Sequence, residues 1–129
     1  MRALIVDDSR AMRRIVGRIL TERGFETSEA ADGQEAVAVL ESMDDLPAVA
    51  CIDWNMPVMD GLELVTAIRA RPEWRDITLM MVTTESEQDR IVRALAAGAH
   101  EYLIKPFTPD ALVEKLDLLG LVPTPGGVA

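Results

Sequence analysis

The sequence predicts an α/β domain: a doubly wound sheet of five parallel strands in the order 2-1-3-4-5. Three observations carry this. Continuous apolar runs of strand length, such as Ala3-Leu4-Ile5-Val6, suit strands buried on both faces. Stretches of helical periodicity, opened by capping residues, separate these runs. Five strands therefore alternate with five helices, the pattern of a parallel sheet covered on both sides. A chain of 129 residues has no room for a second mononucleotide-binding half, which leaves the flavodoxin-like (βα)5 order.

Each element has its own signal. The first strand, Ala3 to Val6, ends in Asp7-Asp8. Ser9 can cap the next helix, where Met12, Ile15, Val16, Ile19 and Leu20 share one face. Arg10, Arg13, Arg14 and Arg18 lie elsewhere on the wheel and read as a solvated face, and Gly24 suits a helix stop. Phe25 to Ala31 contains Glu and Ser, so this second strand belongs at an edge. Asp32 and Glu35 have capping-box spacing. The helix they open runs to about Met43 and should bury Ala36, Val37, Val39 and Leu40.

The third strand, Ala48 to Asp53, runs out into Trp54-Asn55-Met56-Pro57, a turn that Pro57 keeps out of the ladder. Asp60 and Glu63 repeat the capping box, with Leu62, Val65 and Ile68 inward, and Arg71 to Arg75 forms a loop. Leu79 to Val82 is the fourth strand, followed by Thr83-Thr84. Ser86 to Asp89 should cap a fourth helix carrying Ile91, Val92 and Leu95 inward and closed by Gly98. Tyr102 to Ile104 is a short fifth strand ending in Lys105-Pro106. Thr108 at the cap and Pro109 at the first helical position start the last helix, which should bury Leu112, Leu116 and Leu119. Residues 1–121 thus form one domain, and the Pro/Gly-rich stretch 122–129 reads as a flexible tail.

Composition narrows the function. Lys and Arg number 13 against 22 Asp and Glu, a net charge of −9. So acidic a chain is repelled by nucleic acid and by anionic membranes, and neither is an expected partner. Cys51 stands alone within an apolar run, so it reads as a small buried hydrophobe. With no signal peptide and no long apolar span, a cytoplasmic monomer is expected.

In an open parallel sheet, ligands collect outside the carboxyl ends of the strands. Four strands end there in chemistry-bearing residues: Asp7-Asp8, Asp53, Thr83 and Lys105. Taken alone, Asp53 is a nucleophile, a metal ligand or a helix cap. Taken together, three crowded carboxylates repel one another unless a cation joins them. Hard oxygen donors favour Mg²⁺, and no Cys/His cluster competes; His100, after Gly98, reads as a loop residue. Carboxylates, a metal, a hydroxyl and an ammonium suit phosphoryl transfer: one Asp attacks phosphorus while the cations and the hydroxyl take its oxygens. No Walker or G-x-G-x-x-G loop is present.

The stretches Ile5-Val6-Asp7-Asp8-Ser9, Asp53-Trp54-Asn55-Met56-Pro57-Val58-Met59-Asp60-Gly61, Val82-Thr83 and Lys105-Pro106-Phe107 resemble the receiver domain of bacterial two-component response regulators. Met12-Arg13-Arg14-Ile15-Val16 and Asp60-Gly61-Leu62-Glu63-Leu64 resemble the single-domain chemotaxis members in particular. The resemblance implies that Asp53 accepts a phosphoryl group from a sensor histidine kinase. It implies Mg²⁺ on Asp7, Asp8, Asp53 and the Asn55 carbonyl, with Lys105 and Thr83 on the phosphoryl group. It makes Tyr102 a rotameric switch, and Asn55, Thr84 and Glu85 residues that tune dephosphorylation. It also implies a cis Lys105-Pro106 peptide, and an output face on the fourth helix and fifth strand that changes its preference for a downstream protein.

Some residues depart from that pattern. Glu87-Gln88-Asp89 is acidic where chemotaxis members often carry lysines, which argues against a flagellar motor switch as partner. Thr84 stands where Ala or Gly is common, and Glu101 precedes the switch tyrosine where smaller residues are common. The expected function is a single-domain response regulator, not an enzyme acting on other molecules, of a chemotaxis-like kind. The alternative is a phosphorelay intermediate that passes phosphate to a histidine phosphotransfer protein. A Mg²⁺-dependent aspartyl phosphatase is disfavoured, because such enzymes carry an acidic residue where Asn55 stands.

Overall fold

The computed structural model describes residues 1–85 and 88–123. Strands β1 Arg2–Val6, β2 Glu26–Ala30, β3 Val49–Ile52, β4 Thr78–Thr83 and β5 Glu101–Ile104 form one sheet. Its order is β2-β1-β3-β4-β5 and every pairing is parallel, as the sequence predicts. The helices are α1 Arg10–Glu22, α2 Gly33–Ser42, α3 Gly61–Arg69, α4 Gln88–Ala97 and α5 Pro109–Leu118.

Handedness distributes the helices. The step from β1 to β2 crosses the sheet in one direction, and the later steps run the other way. Right-handed crossovers therefore place α1 on one face and α2, α3 and α4 on the other. Alternation along the strands builds a core on each face. Leu4, Val6, Ala50, Ile52, Leu79 and Met81 meet Ala36, Leu40, Leu64, Val65, Ile68 and Ala94. Ala3, Ile5, Val49, Cys51, Met80 and Val82 meet Val16, Ile19, Leu20, Leu112 and Leu116. Cys51 is buried, and burial pushes its thiol up to about 12, so it is inert at neutral pH.

Capping signals translate directly. Ser9, Asp32, Asp60 and Thr108 each accept a backbone N–H from the first turn of the helix they precede. Asp60 and Glu63 form the complete reciprocal box. At Asp32 the cap is formed by the Asp side chain, which accepts from Glu35 N–H at 2.7 Å. Gly24 and Gly98 follow helices with φ of +99° and +123°, the left-handed region in which glycine meets no Cβ clash. The predicted cap at Ser86-Glu87 lies outside the described residues.

Helix faces were predicted less well. Ile15 on α1 is 51% exposed, and Val92 and Leu95 on α4 are 56% and 43% exposed. On α4 the inward stripe is Ile91, Ala94 and Ala97 instead. That stripe packs α4 into the core beside α3, and the larger Val92 and Leu95 lie outside it. On α3 the fully buried residues are Leu64, Val65 and Ile68, with Leu62 only half-buried; Val37, Val39 and Leu119 are also half-buried. The Arg71–Arg75 loop holds a 3₁₀ turn, Pro72–Trp74, that buries Trp74 under the Arg71 guanidinium. Of the predicted tail, Val122 is exposed, Pro123 is buried beside Gly24, and 124–129 lie outside the described residues. Among the described residues, no helix is long and apolar enough to cross a membrane.

Candidate functional site at the carboxyl edge of the sheet

Strand register assembles the site. Val6 of β1 pairs with Ala30 of β2 and with Ile52 of β3, so the residues that follow, Asp7 and Asp53, emerge side by side. The Asp53 N–H donates to the Val6 carbonyl at 2.9 Å, and the Asp7 N–H to the Ala30 carbonyl at 3.1 Å. Thr83 ends β4 opposite Ile104 of β5, and the Lys105 N–H continues that ladder to the Thr83 carbonyl at 2.9 Å. The strand order reverses between β1 and β3, where α1 and α3 leave on opposite faces. The acidic groups therefore sit in the crevice at the topological switch point.

Asp7, Asp53 and Thr83 are buried, whereas Asp8 is exposed. Carboxylate oxygens of Asp7, Asp8 and Asp53 lie within 4.8 Å of one another. Lys105 Nζ is 2.7 Å from Asp7 Oδ2 and 3.5 Å from Asp53 Oδ2. The Lys105-Pro106 peptide is cis. Burial raises the Asp53 pKa; the Thr83 hydroxyl and the Lys105 ammonium pull it back, and the Asp7 charge pushes it further up. The second oxygen of Asp7, Oδ1, accepts the Ser9 N–H at 2.8 Å.

Further contacts frame the mouth. Asn55 Nδ2 donates to Glu85 Oε1 at 2.6 Å, and the Tyr102 hydroxyl donates to the Glu85 carbonyl at 2.6 Å. Tyr102 is buried, and burial raises its phenol pKa, followed by the Glu85 charge. The Glu85 N–H donates to Thr83 Oγ1 at 3.3 Å. Trp54, next to Asp53, is buried beneath α4 with Arg90 5.4 Å from its ring centroid. Gly61 N–H donates to the Trp54 carbonyl at 2.8 Å, and a Cβ at Gly61 would stand only 2.3 Å from the Asp53 carbonyl oxygen.

A model of the response regulator receiver domain matches residues 3–117. The chain belongs to that family. This receiver domain is 47% identical over 122 residues to a chemotaxis protein CheY homolog of Campylobacter jejuni, covering 93% of each chain. It is 43% identical over 120 residues to the chemotaxis protein CheY1 of Helicobacter pylori, covering 92% of this chain and 96% of that protein. Among solved structures, the chemotaxis protein CheY4 of Vibrio cholerae superposes with a TM-score of 0.84 at 37% identity, covering 91% of this chain and 96% of that one.

The structure of this receiver domain brings Asp7, Asp8, Asp53, Thr83 and Lys105 to one edge, with Asn55, Glu85 and Tyr102 beside them. Thr84 is exposed next to the buried Thr83. His100 is not at the site; its Nδ1 faces the Leu79 N–H at 3.2 Å. One reading of the sequence needs correction: Arg13 is not part of a solvated face. Its Nη1 donates to the Asp7 carbonyl at 2.7 Å and its Nε to Glu29 at 2.9 Å. Helical side chains lean toward the N-terminus, and Arg13 lies one turn into the helix that follows Asp8, so this reach had a local signal. Arg90 had none, because its contact with Trp54 needs the packed α4. Glu101 acquires a role: its Oε1 accepts the Tyr102 N–H at 2.8 Å and pairs with Lys115 at 3.1 Å, steadying the start of β5.

Proposed function

We propose that this receiver domain takes a phosphoryl group from a sensor histidine kinase onto Asp53 and acts as a chemotaxis-like, single-domain cytoplasmic signalling switch. The observation that carries the reading is the meeting of Asp7, Asp8 and Asp53 with Lys105. Receiver domains as a family hold Mg²⁺ in an acidic pocket, and the donor set here fits it. Three convergent carboxylates supply hard oxygen ligands, and one lysine balances only part of their charge. Asp7, Asp8, Asp53 and the Asn55 carbonyl would hold the ion, which when bound offsets negative charge on the phosphoryl oxygens.

The chain's own residues do the rest. An Asp53 oxygen forms the new bond to phosphorus as the bond to the donor's imidazole nitrogen breaks. Lys105, 3.5 Å from Asp53 in the resting state, moves its charge from Asp7 toward the transferred group. Thr83 Oγ1 gives a hydrogen bond to a phosphoryl oxygen. Asn55, Thr84 and Glu85 line the approach of the water that later hydrolyses the acyl phosphate. Thr83 and Tyr102 both hold Glu85, so the event at Asp53 reaches the β4–α4 connection and the face made by α4 and β5, where the downstream protein binds. Residues 1–121 carry this function as a monomer.

The test uses acetyl phosphate and beryllofluoride. Wild type with magnesium becomes labelled on Asp53, and beryllofluoride changes Trp54 fluorescence. Asp53→Asn abolishes both. A wild-type protein that acetyl phosphate leaves unlabelled in saturating magnesium would end this reading.

A further inference from the structure

Every polar group of Glu85 is engaged. Its N–H meets Thr83 Oγ1 at 3.3 Å, its carbonyl meets the Tyr102 hydroxyl at 2.6 Å, and its Oε1 meets Asn55 Nδ2 at 2.6 Å. The fourth partner comes from α4: Arg90 Nε stands 3.5 Å from Glu85 Oε2. The same guanidinium lies 5.4 Å from the centroid of Trp54, within cation–π range. Arg90 thus touches both the residue that follows Asp53 and the carboxylate that holds Asn55. It does so from the first turn of α4, the helix that has turned Val92 and Leu95 out to solvent.

We propose that Arg90 is a positioning residue for the phosphoacceptor site: it clamps Glu85 against Asn55 across the mouth and ties that clamp to α4. The electrostatics explain why a cation is needed there. Glu85 is an anion in a chain of net charge −9, and its carboxylate is held by Asn55 on one oxygen and Arg90 on the other. Without Arg90, the hydrogen bond to Asn55 is the main restraint on that carboxylate. The ion pair is partly screened, with side chains 36% and 24% exposed, so it biases a population and does not lock it. Release of Glu85 widens the water path to Asp53. The planar guanidinium suits the double task, since it pairs with a carboxylate at its edge and stacks on indole with its face.

The kinetic part of this proposal rests on Asp53 being the phosphoacceptor; the structural part does not, and the experiment separates them. The side-chain amide signals of Asn55 are followed by NMR in unphosphorylated ¹⁵N-labelled protein for wild type, Arg90→Gln, Arg90→Lys and Arg93→Gln. Arg93 also faces Trp54, at 6.0 Å, and serves as the charge control. Arg90→Gln moves the Asn55 amide pair toward the position of a free amide, Arg90→Lys restores most of the shift, and Arg93→Gln leaves it in place. After loading with acetyl phosphate, Arg90→Gln loses its phosphoryl group about two- to fivefold faster, the range open to a partly exposed ion pair. An unmoved Asn55 signal in Arg90→Gln overturns the clamp, as does an equal shift in Arg93→Gln. If wild type takes up no phosphoryl group, the phosphoacceptor reading falls and the amide signals alone decide the clamp.

Discussion

Lys105 sits nearer to Asp7 than to Asp53: its Nζ is 2.7 Å from Asp7 Oδ2 and 3.5 Å from Asp53 Oδ2. The resting lysine is therefore held more closely by Asp7 than by the proposed phosphoacceptor. In a pocket closed to most water, that single ammonium is what makes two adjacent buried carboxylates tolerable.

Removing the ammonium exposes the repulsion. Lys105→Met lowers the unfolding free energy in EDTA by about 1–3 kcal/mol, the cost of leaving a buried charged group without its partner. Magnesium should recover more stability in the variant than in wild type, because a cation then replaces the missing charge. Urea denaturation with EDTA and with saturating magnesium measures both effects. Equal magnesium increments in the two proteins would contradict the account.

Gly61 is needed for space. A methyl group there collides with the Asp53 carbonyl oxygen at 2.3 Å and with Trp54 Cα at 2.8 Å, both backbone atoms that cannot rotate aside. Gly61→Ala is expected to cost about 1–3 kcal/mol through overpacking and to weaken magnesium binding by displacing Asp53. A magnesium titration followed by Trp54 fluorescence, beside a urea melt, reads the two losses. Unchanged affinity in a folded variant would show that Asp53 does not depend on this close approach.

At the far edge of the sheet, Arg69 gathers the loops. It donates to the carbonyls of Ile77 at 2.8 Å and Gly98 at 3.1 Å, and its Nη2 stands 3.2 Å from His100 Nδ1. Burial and then the Arg69 charge lower the His100 pKa below its ordinary 6.5. The folded chain then binds this proton less readily than the unfolded one. The neutral ring's contribution is complete above pH 6.5 and is lost as pH falls through the lowered value. Between pH 7.5 and 5.5, wild type should lose more stability than His100→Asn. Parallel urea midpoints across that range would rule the linkage out.

Thr84 is exposed beside the buried Thr83, and in the proposed function it lines the approach of water to the acyl phosphate. Thr84→Ala removes bulk from that path. The half-life of phosphorylated protein should shorten, on the order of threefold, which is under about 1 kcal/mol of barrier. Decay followed after a chase out of acetyl phosphate gives the answer, and an unaltered half-life would remove Thr84 from the tuning residues.

What the amino-acid order decided alone was everything that depends on local pattern. Apolar runs, capping residues and left-handed glycines marked the elements, and right-handed crossovers turned their alternation into one sheet order. Asp7, Asp53, Thr83 and Lys105 could be grouped because parallel strands all end at the same edge, so a strand-end position is also a place in space. Tertiary structure decided what depends on how elements meet. On α4 it put Ile91, Ala94 and Ala97 against the core and left Val92 and Leu95 outward, against their hydrophobicity. Arg13 reached Glu29 of β2, and Arg90 reached Trp54 and Glu85, because side-chain partners are chosen among neighbours that packing supplies. Periodicity states which face a residue is on; only the packed neighbours determine what that face touches.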